Sequence, residues 1–227
     1  GFATPVGMAN DANNADIEST NNPGSPNDPA QATHPDPPNR RWRVRGNQGT
    51  GNNGWSGTTQ LLSGARFNVS TVGYENIVVG MDVNGSGGGP RHAQFQYSLD
   101  GSTFTSFGSI IDFFPTSDSW AFLSFDLSSI DGANDNPNFG VKLVSAFSPE
   151  EFTNNDGVQA ANTAFQRADA GSGVYTGGAG NWRFDMVTFS GTAMDTGVVP
   201  EPSSIVLAGL ALLGFVGYGV RRRRQAG

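Results

Sequence analysis

Apolar and polar side chains alternate along this chain in short segments, separated by stretches of Gly, Asn, Asp and Ser. Arg91–Leu99 shows the pattern most plainly: Ala93, Phe95, Tyr97 and Leu99 fall on one side, His92, Gln94, Gln96 and Ser98 on the other. A period of two is the signature of a strand with one face turned to a core. Ser119–Leu127 repeats it with Ala121, Leu123, Phe125 and Leu127, and Arg41–Arg45 does so with Trp42 and Val44. Ala65–Val72, Asn76–Val83, Phe139–Val144 and Trp182–Gly191 are further strands by the same criterion. Gly85–Pro90 is a Gly-rich turn, and Asp100-Gly101 marks a tight hairpin leading to Phe104 and Phe107. Many short strands joined by turns, with no helical period before residue 203, predict an all-β fold. The expected form is an antiparallel, jelly-roll-like sandwich over residues 41–192.

The two ends read differently. Residues 1–40 are rich in Asn, Asp and Pro, and 9–40 hold almost no large apolar side chain. Such a segment cannot bury enough surface to offset its ordering entropy, so a disordered arm is expected there. Gly1–Met8 reads as the end of a preceding strand. Residues 193–202 form a linker containing Pro200-Glu201-Pro202, and 203–227 carry one C-terminal hydrophobic helix with an Arg cluster.

Composition sharpens this picture. Charged residues are 15%, below the roughly 25% of ordinary soluble domains, and glycine reaches 32 residues. Lys142 is the only lysine. These proportions disfavour exposed helices and suit turns and strands. The formal charge of −7 hides a more acidic body. With Arg221–Arg224 and Glu201 set aside, nine basic side chains face nineteen acidic ones. Such a body repels phosphate backbones, so no nucleic acid partner is expected. With no cysteine, disulfides, thiolate metal sites and Cys nucleophiles are excluded.

The tail carries the most specific signal. Ser203 and Ser204 can cap a helix whose apolar run, Ile205–Val220, contains no charge. From Ser203 to Val220 a helix would extend about 27 Å, just short of a hydrocarbon core of about 30 Å. Arg221, Arg222, Arg223 and Arg224 follow at once and would stay on the cytoplasmic side, leaving the body outside. Pro200-Glu201-Pro202, the apolar run and the Arg cluster, in this order and at the chain's end, resemble the PEP-CTERM sorting signal. The resemblance implies export in a Gram-negative bacterium that makes exopolysaccharide, with an inner-membrane intermediate. It also implies cleavage near the motif by exosortase, a membrane-embedded protease, and delivery to the cell surface or extracellular matrix. Pro200 and Pro202 would hold that cleavage segment extended.

The body is similar to secreted bacterial jelly-roll modules through YENIVVGMDV, GPRHAQFQYSLDGSTFTS and GNWRFDMVTFSG. Many such modules carry Asp-Asn where this chain has Asp185-Met186. They share no single activity, so the likeness implies a fold and not a reaction.

Candidate chemistry is sparse. His34 lies in the Pro/Asp-rich arm, and His92 falls on the polar face of its strand beside Gln94 and Gln96. No G-x-S-x-G pattern offers a serine nucleophile. Asp82, Asn84 and Ser86 imitate the first half of a calcium loop, but its twelfth position is Ala93 rather than Glu. Asp131, Asp135 and Asn136 form a second oxygen-rich loop, so a structural Ca²⁺ is the one cofactor to look for. Trp55, within the polar stretch GTGNNGWSGT, is the aromatic best placed to stack on a sugar ring. Three readings follow. The first is an exported, exosortase-processed surface or matrix protein without catalytic activity. The second is a carbohydrate-binding module acting on exopolysaccharide, and the third an extracellular polysaccharide hydrolase using paired carboxylates.

Overall fold

The computed structural model describes residues 1–7, 15–18, 41–45, 55–112, 119–169 and 180–195. The chain divides into two compact units, Gly1–Thr192 and Ala193–Gly227. In the first, two five-stranded antiparallel sheets enclose the core, as the alternating pattern requires. One runs in the order β1 (Phe2–Val6), β4 (Gly64–Asn68), β9 (Gly140–Ala146), β6 (His92–Ser98), β7 (Thr105–Asp112). The other runs β2 (Ala15–Glu18), β3 (Arg41–Arg45), β12 (Asn181–Ala193), β5 (Tyr74–Gly85), β8 (Trp120–Asp126). A hairpin of β10 (Phe152–Asn154) and β11 (Gly157–Gln159) completes the set, and Asp131–Ala133 forms one turn of 3-10 helix. Among the described residues no helix is long and apolar enough to cross a membrane. The expected helix, the motif Pro200-Glu201-Pro202 and the Arg cluster lie outside the described residues.

The inward positions are the ones the period of two selects. Ala93 and Phe95 of β6, Val141 and Leu143 of β9, and Ile77, Val79, Met81 and Val83 of β5 are almost fully buried. Phe95 stacks on Phe125 of β8, centroids 3.7 Å apart and rings 10° from parallel, tying one sheet to the other. Such a large apolar pair contributes through area removed from water and through ring contact. The Asp100-Gly101 turn forms as its sequence dictates. Gly101 takes φ +74°, and the Asp100 carboxylate accepts hydrogen bonds from the backbone N–H of Thr103 (2.6 Å) and Ser102 (2.7 Å). Those donors hold its pKa well below the ordinary carboxylate range.

The N-terminal segment supplies two strands, one where Gly1–Met8 is expected to end a strand and one within the expected arm. Phe2–Val6 pairs with β4 from Phe2↔Asn68 to Val6↔Gly64, and Ala15–Glu18 pairs with β3 from Ala15↔Val44 to Glu18↔Arg41. Both are outermost in their sheets, where a strand needs pairing on one side only and tolerates Pro5. The sandwich therefore takes in Phe2–Val6 as well as 41–192, and of the two strands only Ala15–Glu18 comes from the polar stretch 9–40. The rest of the expected arm, residues 8–14 and 19–40, lies outside the described residues.

Candidate functional site

The start of β6 and the end of β7 form one wall of a cleft of about 340 Å³. Register places His92 opposite Asp112 on β7 and opposite Ala146 on β9. Arg91 then meets Asp112 in a two-pronged ion pair, Nε to Oδ1 at 2.9 Å and a terminal nitrogen to Oδ2 at 2.6 Å. The geometry is the planar fork that suits guanidinium and carboxylate, and it raises the Arg91 pKa. The opposite wall is the turn after β9, Ser148–Phe152. Ser148 donates its N–H to Ala164 O (3.0 Å) and its hydroxyl to Glu150 O (2.8 Å). Arg91 N–H donates to Gln166 O at 2.9 Å, so the segment around Gln166 is pinned beside both walls.

His92 is the group that sequence reasoning placed differently. Expected on the polar face of its strand, it is 4% exposed. Burial pushes its pKa down to about 4, with Arg91 acting the same way and Asp112 opposing. The ring is thus neutral at pH 7. Its Nδ1 is sealed from solvent and has no hydrogen-bond partner among the described residues, and the residue lines the cleft.

The cleft contains the ingredients of acyl-transfer chemistry without their wiring. Ser148 spends its proton on a backbone carbonyl, and Asp112 is engaged by Arg91 rather than orienting His92. A nucleophile paired to a base, itself oriented by a carboxylate, is the arrangement such chemistry needs.

The outward face of the same sheet carries a second polar feature. Register aligns Thr4, Arg66, Lys142, Gln96 and Ser106 in a row across five strands. Phe104 covers the two cations, its ring centroid 3.7 Å from Lys142 Nζ and 5.1 Å from the Arg66 guanidinium. Arg66 also donates to Asn68 Oδ1 (2.8 Å) and to Gly101 O. Burial, then the neighbouring Arg66, lowers the Lys142 pKa. Two residues away along β6, Gln94 donates to the carbonyls of Phe107 (3.0 Å) and Gly108 (3.3 Å) where β7 bulges, Gly108 standing at φ +68°. That explains why Gln94 is buried despite its polarity.

Trp55 is the second correction. It is 3% exposed, its ring 4.6 Å from that of Trp182, and its Nε1 donates to Gly180 O at 3.1 Å. A residue so enclosed offers no face to a sugar. The polar stretch around it gave no sign that its one aromatic would be drawn into the core.

The calcium-like loops are also resolved into separate places. Asn84, 2% exposed, donates through Nδ2 to Ser119 O (3.0 Å) and accepts from Arg183 (2.7 Å), while Ser86 Oγ accepts from Asn181 N–H (2.9 Å). Asp82 is buried beside them. Asp131 and Asp135 belong to the other end of β5, where Asp135 N–H donates to Tyr74 O and Asp135 Oδ1 accepts from Gly73 N–H (2.8 Å). Tyr74 and Asp82 lie about 27 Å apart along the strand. The two loops therefore cannot share an ion. Among the described residues no three His, Asp or Glu side chains are grouped to hold a metal.

Residues 198–224 match the PEP-CTERM protein-sorting motif. Among solved structures the chain is similar to TmCBM61 in complex with beta-1,4-galactotriose, at 8% identity and TM-score 0.38, covering 84% of this chain and 88% of that one. It is also similar to Xylanase10C (mutant E385A) from Cellvibrio japonicus in complex with xylopentaose, at 14% identity and TM-score 0.36. That match covers 82% of this chain and 28% of the xylanase chain. No curated protein matches the sequence. The tail thus marks an exported chain sorted to the cell surface, and the body ahead of it is a β-sandwich.

Proposed function

We propose that this chain is a cell-surface or matrix protein of a Gram-negative bacterium, processed by exosortase and without catalytic activity of its own. The observation that carries the reading is the sorting motif over residues 198–224. In the inner-membrane intermediate, Ser203–Val220 spans the bilayer as a helix at the lower limit of length, and Arg221–Arg224 hold its end in the cytoplasm. Pro200-Glu201-Pro202 then lies just outside the bilayer, in an extended form that a protease can read. Cleavage there would release the sandwich from a segment that holds it only marginally.

The non-catalytic part of the reading is supported by the cleft at His92, where hydroxyl, imidazole and carboxylate stand together but are not linked. The carbohydrate-binding reading loses its platform with the burial of Trp55, and any sugar site has to be sought elsewhere on the sandwich.

Mass spectrometry of the mature protein recovered from the cell surface tests the proposal. The expected C-terminus lies upstream of Arg221. Surface protein retaining Arg221–Arg224 would overturn it and leave a permanently anchored chain.

A further inference from the structure

We propose that the cleft between the start of β6 and the Ser148–Phe152 turn binds a primary ammonium carried on a hydroxylated ring, the chemistry of an amino sugar. This goes beyond the sorting reading and stands whether or not the tail is processed.

Buried polar side chains are nearly always hydrogen-bonded, and an unpaired one costs free energy that a structure does not spend idly. His92 is 4% exposed and lines the cleft, and its Nδ1 has no hydrogen-bond partner among the described residues. The imidazole is part of the cleft wall, and in its neutral form it does not repel a cation.

Of the ionised groups lining the cleft, Arg91 and Asp112 neutralise one another in their fork. Glu150 and Glu151 remain, both exposed and neither in an ion pair among the described residues. The cleft therefore presents two uncompensated carboxylates beside a neutral imidazole. An anion is excluded by that field, and a neutral ligand would leave it unused. A metal ion is disfavoured because no three His, Asp or Glu groups converge among the described residues.

About 340 Å³ is at the small end of ligand sites, which run from about 300 to 1,000 Å³. Phe152, half-buried, supplies an apolar surface for a ring, while Gln166 and the Ser148 oxygen supply polar partners for hydroxyls. Ammonium, hydroxyls and one apolar face together describe an amino sugar better than a linear polyamine.

The test is calorimetric titration of the full chain, held in mild detergent, with a β-1,4-linked glucosamine disaccharide, its N-acetylated counterpart and spermidine. The expected result is saturable one-to-one binding of the free amine disaccharide, with the acetylated sugar and spermidine each weaker by about tenfold or more. The double variant Glu150→Gln/Glu151→Gln should lose about tenfold in affinity and keep its melting temperature, since both side chains are exposed. The imidazole proton signals of His92 should shift on saturation. Equal binding of the acetylated sugar would make this a neutral-sugar site, and equal binding of spermidine would reduce it to diffuse charge attraction. Either result, no saturable binding, or unchanged affinity in the double variant overturns the proposal.

Discussion

Trp55 packs against Trp182 with ring centroids 4.6 Å apart and planes tilted by 54°, and both rings are withdrawn from solvent. Trp182 is the first inward side chain of β12, and its own Nε1 donates to Pro90 O at 2.9 Å. Each indole thus has its polar atom satisfied by a backbone carbonyl while its apolar area fills the core. Replacing Trp55 by Ala should cost about 3–5 kcal/mol, the range for deleting a large buried aromatic. Trp55→Phe should cost less, because most of the volume remains. Chemical denaturation of the two variants checks this. A Trp55→Ala protein as stable as the parent would return the residue to the surface and revive it as a sugar platform.

His92 titrates inside the fold at about pH 4 rather than near 6.5. A base whose folded pKa is depressed stabilises the native state while it is neutral. That contribution is fully present above pH 6.5 and is lost as the pH falls towards 4. Over this window the loss is on the order of 3 kcal/mol. Melting temperatures measured between pH 7 and pH 4 should fall accordingly. In His92→Gln the slope specific to this window should flatten, whereas His34→Gln should leave it unchanged. A parent protein equally stable at both pH values would show that His92 is solvated.

How far the sequence could be read depends on what each strand had to bury. Arg41–Arg45 matches its expected bounds, and β6, β8 and β9 lie within a residue or two of theirs, because one face of each carries large apolar side chains into the core. β1 falls where Gly1–Met8 reads as strand, but β2 left no such trace; an edge strand is held by backbone pairing on one side and does not need a hydrophobic face to form. The polar side of β6 shows the opposite failure. His92, Gln94, Gln96 and Ser98 alternate as surface residues should, yet all are buried, because the β7 bulge and the surrounding turns close over them. The cleft was equally hidden: Asp112 and Ser148–Phe152 reach His92 only through the strand order. Sequence spacing cannot supply that.

Leu61 adopts φ +62° while 37% exposed, in the turn before β4 where its N–H donates to Ser145 O at 2.7 Å. A branched side chain in the left-handed region costs about 1–2 kcal/mol, and here little packing offsets it. Leu61→Gly removes the clash but adds unfolded-state entropy of about 0.5–1 kcal/mol. Leu61→Asn avoids most of that second cost. The asparagine variant should therefore be more stable than the parent by about 0.5–1 kcal/mol, with the glycine variant nearer neutral. Denaturant midpoints of the three proteins decide it, and a destabilised Leu61→Asn would mean that the leucine packs in solution.

Lys142 and Arg66 stand directly opposite one another on β9 and β4, a pairing of like charges that ordinarily destabilises a sheet. Phe104 offsets it by presenting its negative face to both. Phe104→Leu keeps much of the apolar bulk and removes the ring quadrupole, so it should lose about 1 kcal/mol. Removing the repulsion as well should recover part of that loss, which makes Phe104→Leu/Lys142→Gln more stable than Phe104→Leu alone. In the parent background, by contrast, Lys142→Gln should not stabilise. A double-mutant cycle on thermal unfolding measures the coupling between the two positions. Additive effects would mean that the aromatic merely covers the cations and does not hold them together.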